Sequence, residues 1–183
     1  MGQVLFFRLD GTSWAGESRL AASRMQNGGT TVTFWTPSLS SPFPPGRRDP
    51  RIWSYSLLHA LRQFGCADYS MVTLKDNSGS IAHSSMVMPA FARFPFMGQR
   101  DLQIGATETD PAFRGRGLAV RAIDEAIAHF GRDRTYWYLT EAANAASVSV
   151  IRKTGFTLAG TGGKNPRLGF QAIGYYAITS QVH

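Results

Sequence analysis

Cysteine is almost absent from this chain of 183 residues, in which Cys66 is the only one. A single cysteine excludes an intramolecular disulfide, and the Cys and His spacings that hold structural zinc do not occur. The sequence therefore predicts a protein that folds without a disulfide or a metal. A reducing cytoplasm is the compartment that this cysteine usage favours.

Long apolar runs are also missing. No stretch approaches the roughly 18 apolar residues that a membrane-spanning helix needs, so we expect no membrane partner. The opening residues MGQVLFF have no basic flank before their short apolar run, and the sixth residue is Phe6 rather than Ser or Thr. These features predict neither a secretory signal peptide nor an N-myristoylation site.

Acidic residues are scarce relative to basic ones. The chain has 12 Asp and Glu residues against 19 Lys and Arg, a formal net charge of +7 and a pI near 10.1. Such a balance suits a polyanionic partner, which would be a nucleic acid, an acidic carrier protein or a phosphorylated cofactor. The basic residues are scattered rather than gathered in one run, so a nucleic acid is the least favoured of the three.

Turn signals and apolar periodicity divide the chain into strands and helices. Residues 36–50 include the segment SLSSPFPPGRRDP, which we interpret as a long loop because its four prolines forbid regular structure. No repeat or domain boundary is visible, so one domain over 1–183 is expected. Strands are predicted at 1–9, 69–74, 80–88, 102–109, 135–140, 156–159 and 172–179, and helices at 52–64 (with the apolar residues Trp53, Leu57, Leu61 and Phe64), 118–130 and 145–154.

The most informative segment, residues 107–127, reads TETDPAFRGRGLAVRAIDEAI. A strand there leads through a proline turn into a loop rich in arginine and glycine, and a helix follows. The first N–H groups of a helix lack partners and carry the positive end of its dipole, so an anion binds well there. Gly115 and Gly117 leave the backbone open to a pyrophosphate, and Arg114 and Arg116 add positive charge. The segment therefore predicts a pyrophosphate-binding loop.

Two other kinds of phosphate loop do not fit this segment. A P-loop requires Lys and then Ser or Thr after its last glycine, whereas Gly117 is followed by Leu118 and Ala119. A dinucleotide fingerprint requires a third glycine at the position of Val120, and an acidic residue at a strand end about 20 residues later. An exposed basic turn before an amphipathic helix remains the alternative that involves no ligand.

A second motif follows one helix and one strand later, where residues 144–156 read NAASVSVIRKTGF. This pattern resembles the N-x-x-S/A-x-x-V/L-x-x-K-x-G-F helix of the GNAT N-acetyltransferase superfamily. Residues 114–119 resemble the R/Q-x-x-G-x-G/A pyrophosphate loop of the same superfamily. The two motifs occur in the family's order, and the resemblance covers roughly residues 68–183, with a motif-bearing core of about 68–160.

The resemblance implies a mixed α/β fold with a central, twisted, mostly antiparallel sheet that is splayed between its fourth and fifth strands and flanked by helices. It implies acetyl-CoA as the acyl donor, with the pantetheine arm between the splayed strands, and no metal. It also implies a set of cofactor-binding residues: Thr107, Glu108 and Thr109 at the pantetheine and acyl carbonyl, Arg114, Gly115, Arg116, Gly117, Leu118 and Ala119 at the pyrophosphate, and Asn144 and Ser147 at the next helix. For Asn144, a plain N-cap explains the position equally well.

Transfer to an alkyl amine requires a base or a water path, because an amine with a pKa of about 10.4 is protonated at neutral pH. We interpret Glu17 and Glu125 as poorly placed or solvent-facing. Each remaining candidate has an alternative interpretation as a structural or solvated group. The predicted catalytic candidates are Glu108, Glu141 and His83, and Asp101 is a further carboxylate at a strand end.

Many family members protonate the leaving thiolate with a tyrosine of the second motif, where this chain has Ile151. That role would pass to solvent or to another tyrosine, for which the candidates are Tyr136, Tyr138, Tyr175 and Tyr176. The resemblance implies transfer of an acetyl group to a primary amine of a small molecule, by direct attack in a ternary complex on a monomer or homodimer. Two alternatives remain open: an acyl-CoA sensor without turnover, and an acyltransferase whose donor is an acyl carrier protein, docked on Arg47, Arg48 and Arg51.

Overall fold

The computed structural model describes residues 2–26, 29–38, 40–44, 46 and 50–182, with the backbone alone for 50, 51 and 170–173. Short 3-10 turns at Gly11–Ser13 and Pro111–Phe113 complete the regular structure. The strands and helices, in chain order, are β1 (Val4–Asp10), α1 (Glu17–Gln26), β2 (Thr31–Trp35), α2 (Pro50–Ala60), β3 (Ser70–Lys75), β4 (Ile81–Pro89), β5 (Leu102–Thr109), α3 (Leu118–Phe130), β6 (Thr135–Glu141), α4 (Ala145–Lys153), β7 (Thr157–Arg167) and β8 (Phe170–Gln181).

All the described strands join one eight-stranded sheet in the order β2-β3-β4-β5-β6-β1-β7-β8. The strands β5 and β6 run parallel, and every other neighbouring pair runs antiparallel. This arrangement confirms the predicted mixed, mostly antiparallel sheet with flanking helices. No helix in the described part of the chain is long and apolar enough to cross a membrane.

The first strand of the chain lies in the middle of the sheet. β1 pairs with β6 along Val4–Asp10 and with β7 along Val4–Arg8. Such a strand must be apolar on both faces. Phe7 is buried in the cluster that includes the core residues of α3, and Phe6 is buried against Phe96 on the opposite face. The strand β2 (Thr31–Trp35) is absent from the sequence-based prediction, so the splayed pair is fifth and sixth in chain order rather than fourth and fifth.

The strands β5 and β6 pair only where they begin. Leu102–Ile104 lie beside Tyr136–Tyr138, and the pairing stops there. The register between β4 and β5 shifts between Ser84 and Met86, and Ala106 of β5 has a φ of 47°. Such a β-bulge bends its strand. β5 therefore bends just beyond its last pair with β6, and a gap opens between the C-terminal ends of the two strands.

Helix α3 covers one face of the sheet and leads out of this gap. Its apolar residues, among them Ile123 and Ile127, are fully buried against the strands together with Ile151 of α4. The helix ends where the sequence predicts, because Gly131 follows it with a φ of 94°, a conformation that favours glycine. The predicted amphipathic helix that begins at Leu118 is thus confirmed.

Helix α2 differs from its prediction. It ends at Ala60, four residues before the predicted end at 64, and the chain then turns at Arg62, whose φ is 53°. Ile52 and Ser56 face the protein interior, with Ser56 bonded to the carbonyl of Pro42 at 2.9 Å. The apolar face expected from the sequence is largely exposed instead, at 50%, 44% and 59% for Trp53, Leu57 and Leu61.

Helix α1 has no counterpart in the sequence-based prediction, because its residues ESRLAASRMQ carry only one buried apolar side chain, Leu20. Ion pairs hold it against α3 instead. Arg24 donates to both carboxylate oxygens of Glu125, at 2.9 Å and 2.5 Å. Glu125 is therefore not solvent-facing, since the residue is 5% exposed and paired, and it does not line the groove described below.

Candidate active site

A groove of about 730 Å³ runs from the start of α3 into the gap between β5 and β6. All the residues that the sequence predicts for cofactor binding line this groove. They are Thr107, Glu108, Thr109, Arg114, Gly115, Arg116, Gly117, Leu118, Ala119, Asn144 and Ser147. The structure therefore brings the two sequence motifs to one surface, while their binding role stays a prediction.

The loop before α3 exposes its backbone to the groove. Gly115 and Gly117 have φ values of 78° and 73°, and no atom lies within 4 Å of the position that a Cβ would take at either residue. Gly117 is the N-cap of α3 and makes no side-chain cap, so the first N–H groups of the helix lack that partner. This open, glycine-lined cradle at a helix N-terminus fits the diphosphate of a coenzyme A thioester.

Two guanidinium groups flank the cradle. Arg114 donates from Nε to the carbonyl of Thr109 at 3.3 Å, and Arg116 donates to the carbonyl of Ala112 at 3.2 Å while its guanidinium lies 5.0 Å from the ring centroid of Phe113. Both side chains are exposed and have no carboxylate partner within the residues that the structure describes. Their charge is therefore available to an anion in the groove.

Asn144 caps α4 at the other wall of the groove. Its side-chain oxygen accepts a hydrogen bond from the N–H of Ser147 at 3.0 Å. The N-cap interpretation of Asn144 is thus confirmed, and the same residue lines the groove. The cap fixes where α4 starts and so holds the groove wall in place.

A chain of hydrogen-bonded side chains runs beneath the groove between β4, β5 and β6. His83 is 1% exposed, and its Nδ1 lies 2.7 Å from the hydroxyl of Thr109 while its Nε2 lies 2.9 Å from the hydroxyl of Ser85. The Ser85 hydroxyl is 3.2 Å from that of Thr107, to which the Tyr138 hydroxyl donates at 2.9 Å. Both ends of the chain, Thr109 and Tyr138, line the groove.

Tyr138 is the only one of the candidate tyrosines that lines the groove. Burial raises its pKa above that of a free phenol, and hydrogen bonds with Thr107 and Ser147 offset part of that increase. The hydroxyl of Tyr136 instead donates to the carbonyl of Gly131 at 2.6 Å, away from the groove. The other two candidates lie on β8: Tyr175 and Tyr176.

The candidate carboxylates occupy different places. Glu108 lines the groove, whereas Glu141 lines a second cavity of about 260 Å³. Asp101 has a structural role, because it accepts hydrogen bonds from the indole of Trp137 at 2.8 Å and from the N–H of Gly98 at 2.9 Å. The structure thus brings Glu108 and, through Thr109, the buried histidine to the groove, and it separates Glu141 from them.

Nine further residues line the groove without having been predicted to bind the cofactor. Four come from α1, whose polar sequence gives no signal of its own, and five lie within the two motif segments: Arg19, Ala22, Ser23, Gln26, Phe113, Val120, Ala146, Val150 and Lys153. Within the residues that the structure describes, no group of three or more His, Cys, Asp or Glu side chains is placed to hold a metal ion.

Comparison with known proteins gives the same family as the motifs. Residues 88–156 match the family model of the GNAT acetyltransferases. No curated protein shows a significant sequence match to the chain. The family model covers less than half of the chain, and both this match and the fold are consistent with the GNAT superfamily.

Solved structures with the same fold have low sequence identity to this chain, so they bear on the fold alone. A GNAT-family protein of Novosphingobium aromaticivorans has 18% identity and a TM-score of 0.50 over 87% of this chain. A GCN5-related N-acetyltransferase of Sphaerobacter thermophilus has 16% identity and a TM-score of 0.55 over 87%. A tandem GNAT protein of the clavulanic acid biosynthesis pathway has 14% identity and a TM-score of 0.55 over 86%. The chain covers only 61%, 49% and 50% of their respective lengths.

Proposed function

We propose that the protein transfers an acetyl group from acetyl-CoA to a primary amine of a small molecule, by direct attack within a ternary complex. The observation that carries this proposal is the continuous groove that joins the glycine cradle before α3 to the gap between β5 and β6. The match of residues 88–156 to the acetyltransferase family model supports acyl transfer in general. The choice of donor and acceptor rests on the chemistry of the groove.

The donor would bind along this groove from α3 towards β6. Backbone N–H groups at Gly115 and Gly117, with the guanidinium groups of Arg114 and Arg116, would hold the diphosphate. A hydrogen bond to a charged group contributes about 1.5 to 3 kcal/mol, so several together support micromolar binding. The pantetheine arm would then lie along the C-terminal half of β5, where this strand no longer pairs with β6 and faces the groove instead.

Proton transfer would involve two side chains of β6, Glu141 as the base and Tyr138 as the acid. Glu141, at its C-terminal end, would accept a proton from the incoming ammonium group, with Glu108 as the alternative base. As the C–N bond forms and the C–S bond breaks, the Tyr138 hydroxyl would protonate the leaving thiolate. The hydrogen-bonded chain through Thr107, Ser85 and His83 would return a proton to Tyr138.

Gly115→Ala tests the donor site, and Gly79→Ala is its matched control. Both glycines have a positive φ, 78° and 82°, with no atom within 4 Å of a Cβ, but Gly79 lies in the turn between β3 and β4. Each substitution should cost about 1 kcal/mol of unfolding free energy. Only Gly115→Ala should weaken acetyl-CoA binding, at least tenfold or about 1.4 kcal/mol by calorimetry. Equal affinity in both variants would contradict the proposed diphosphate site.

Turnover is measured by thiol release from acetyl-CoA over a panel of primary amines. Release with at least one amine supports the transferase, whereas acetyl-CoA binding without release over a broad panel supports the sensor. Higher activity with an acetylated carrier protein than with acetyl-CoA would favour the carrier-protein alternative. Arg47 and Arg48, on which that alternative depends, lie outside the described residues, as does the side chain of Arg51.

A further inference from the structure

The second cavity lies on the face of the sheet opposite α3. Tyr138 packs in the apolar cluster that contains α3, whereas its neighbour Leu139 packs in the other cluster, with Trp137. Successive side chains of a strand point to opposite faces, so Glu141 shares the face of Leu139. The cavity is lined by Gly2, Val4, Leu139, Thr140, Glu141, Lys164 and Tyr176.

Glu141 and Lys164 are the two charged residues of this lining, and their charges are opposite. Within the described residues neither side chain forms an ion pair or a hydrogen bond. Burial and then the nearby charge of Arg93 lower the pKa of Lys164, so a second cation stands close to the first. The cavity therefore offers separate positions for a cation and for an anion.

The strand register sets the spacing of the two charges. Val4 of β1 pairs with Glu141 on one side and with Gly162 on the other. Glu141 and Gly162 are thus two strand spacings apart, roughly 10 Å, and Lys164 lies two residues beyond Gly162 on the same face. Gly2 has no side chain, and a Cβ there would lie 3.8 Å from Oε2 of Glu141. Because Gly2 has no side chain, the space between the Glu141 and Lys164 side chains stays open, and a small ligand fits there.

We propose that this cavity binds the acetyl acceptor as a zwitterion, namely a free α-amino acid with its ammonium group at Glu141 and its carboxylate at Lys164. The inference rests on the proposed function, whose acceptor it specifies. A simple amine would leave Lys164 without a partner, and a simple carboxylate would leave Glu141 without one. An amino acid satisfies both groups, and each charge-assisted hydrogen bond is stronger than a neutral one.

The remaining lining favours an apolar side chain on the amino acid. Val4, Leu139 and the ring of Tyr176 form the apolar part of the cavity. Tyr176 is held in place by stacking on Phe94, with ring centroids 5.8 Å apart, and by a hydrogen bond from its N–H to the carbonyl of Arg93 at 2.9 Å. A fixed aromatic surface of this kind suits an apolar or aromatic side chain.

The cavity and the groove share β6 as a wall. Glu141 lies three residues after Tyr138, and the pairing of β5 with β6 ends at Tyr138. An ammonium group at Glu141 would lose its proton to that carboxylate, and the free nitrogen would reach the acetyl carbonyl through the gap between the strands. The nitrogen loses a second proton as the C–N bond forms and the C–S bond breaks, and the thiolate takes one proton from Tyr138. The products are an N-acetylamino acid, a thiol and one proton that passes to solvent, so atoms and charge balance.

Thiol release with matched acceptors tests the inference. Phenylalanine is compared with phenylalaninamide and 2-phenylethylamine, which lack the carboxylate, at one pH and with saturating acetyl-CoA. We expect kcat/KM for phenylalanine to exceed that of both analogues at least tenfold. Lys164→Met should lower kcat/KM for phenylalanine at least tenfold and leave the two analogues unchanged. Arg167→Met, an exposed position on the same strand outside the cavity, is the control that should change neither.

The possible failures are distinguishable. If the amines release thiol as well as phenylalanine does, or if Lys164→Met affects all three acceptors equally, the zwitterion inference is wrong and the transferase stands. If none of the three releases thiol but another amine of the broad panel does, the zwitterion inference is wrong and the transferase stands. If no amine of the panel releases thiol, the proposed transferase is wrong. Calorimetry then tests whether the second cavity binds an amino acid. Phenylalanine binding to the unaltered protein but not to Lys164→Met supports the proposed site, and binding to neither or to both proteins overturns it.

Discussion

At the residue scale, the Tyr138 hydroxyl connects the groove to the buried polar chain. Tyr138→Phe removes only this hydroxyl, so acetyl-CoA binding should be unchanged while kcat falls. General acids of this type contribute about a hundredfold or more, but coenzyme A is a tolerable leaving group, so we expect a loss of about 10- to 100-fold. Steady-state thiol release gives kcat and KM, and calorimetry gives the affinity for acetyl-CoA.

Tyr136→Phe is the matched control for that substitution. Tyr136 lies two residues earlier on the same strand and is fully buried, but its hydroxyl donates to the carbonyl of Gly131. Its loss should lower stability and leave the kcat of the folded protein unchanged. An equal fall of kcat in both variants, or a fall of acetyl-CoA affinity alone in Tyr138→Phe, would contradict the role of Tyr138 as the acid.

Residues of the groove were predictable where they are contiguous in sequence. Gly115 and Gly117 stand between arginines at the start of a helix, and this order alone predicts an anion site. The partners of His83 were not predictable, because Thr109 belongs to another strand and the contact depends on the register of β4 against β5. For the same reason, the sequence left four tyrosines equivalent, and only the fold separates Tyr138 from the others.

At the element scale, two buried carboxylates of α3 hold α1 in position, and Asp124 is the more deeply buried of the two. Asp124 is fully buried and accepts hydrogen bonds from the indole of Trp14 at 2.9 Å and from Arg19 at 2.7 Å. Arg19, Ser23 and other residues of α1 line the groove. The ion pair therefore links the stability of α1 to the shape of the donor site.

Asp124→Asn should break the ion pair with Arg19 and so loosen the packing of α1 on α3. Breaking a buried ion pair costs about 3 to 5 kcal/mol, and because Arg19 is partly exposed we expect about 2 to 3 kcal/mol of unfolding free energy in urea. Acetyl-CoA binding should weaken as well, because the wall formed by α1 is no longer fixed. Asp133→Asn is the control, since both members of the Asp133–Arg100 pair are more than 60% exposed, and an exposed pair stabilises a protein far less than a buried one. Equal losses in the two variants would contradict this role of Asp124.

Elements with a strong periodic or turn signal were predictable, and elements that depend on tertiary contacts were not. β5 and α3 begin and end where the sequence predicts, because a proline turn and Gly131 bound them. Helix α1 is polar and held by ion pairs to α3, so its own residues carry no amphipathic pattern. β7 and β8 extend beyond their predicted bounds because each pairs with the other along most of its length. The glycines of β7 interrupt the alternation of apolar residues, so the sequence pattern does not reveal the full length of this strand.

At the scale of the whole molecule, β1 lies in the centre of the sheet and pairs with β6 and β7, which come much later in the chain. The sequence predicts a strand there but not its neighbours, because Val4 pairs with Glu141 and Gly162, which are far away along the chain. No local pattern encodes pairing over such a distance. The expectation of one domain over 1–183 stays a prediction, and the insertion of β1 between β6 and β7 supports it.

Phe7→Ala tests whether the sheet unfolds as one unit. Phe7 is 3% exposed in the middle of β1, so its truncation should cost about 3 to 5 kcal/mol. Phe43→Ala makes the same chemical change at a side chain that is 38% exposed, and its cost should be well below that of Phe7→Ala. If β1 is integral to the sheet, circular dichroism and tryptophan fluorescence should report one shared transition in urea, moved to lower concentration in Phe7→Ala. Two separate transitions, or equal costs for the two variants, would mean that β1 is an appendage, and the sheet would then have to fold without its central strand.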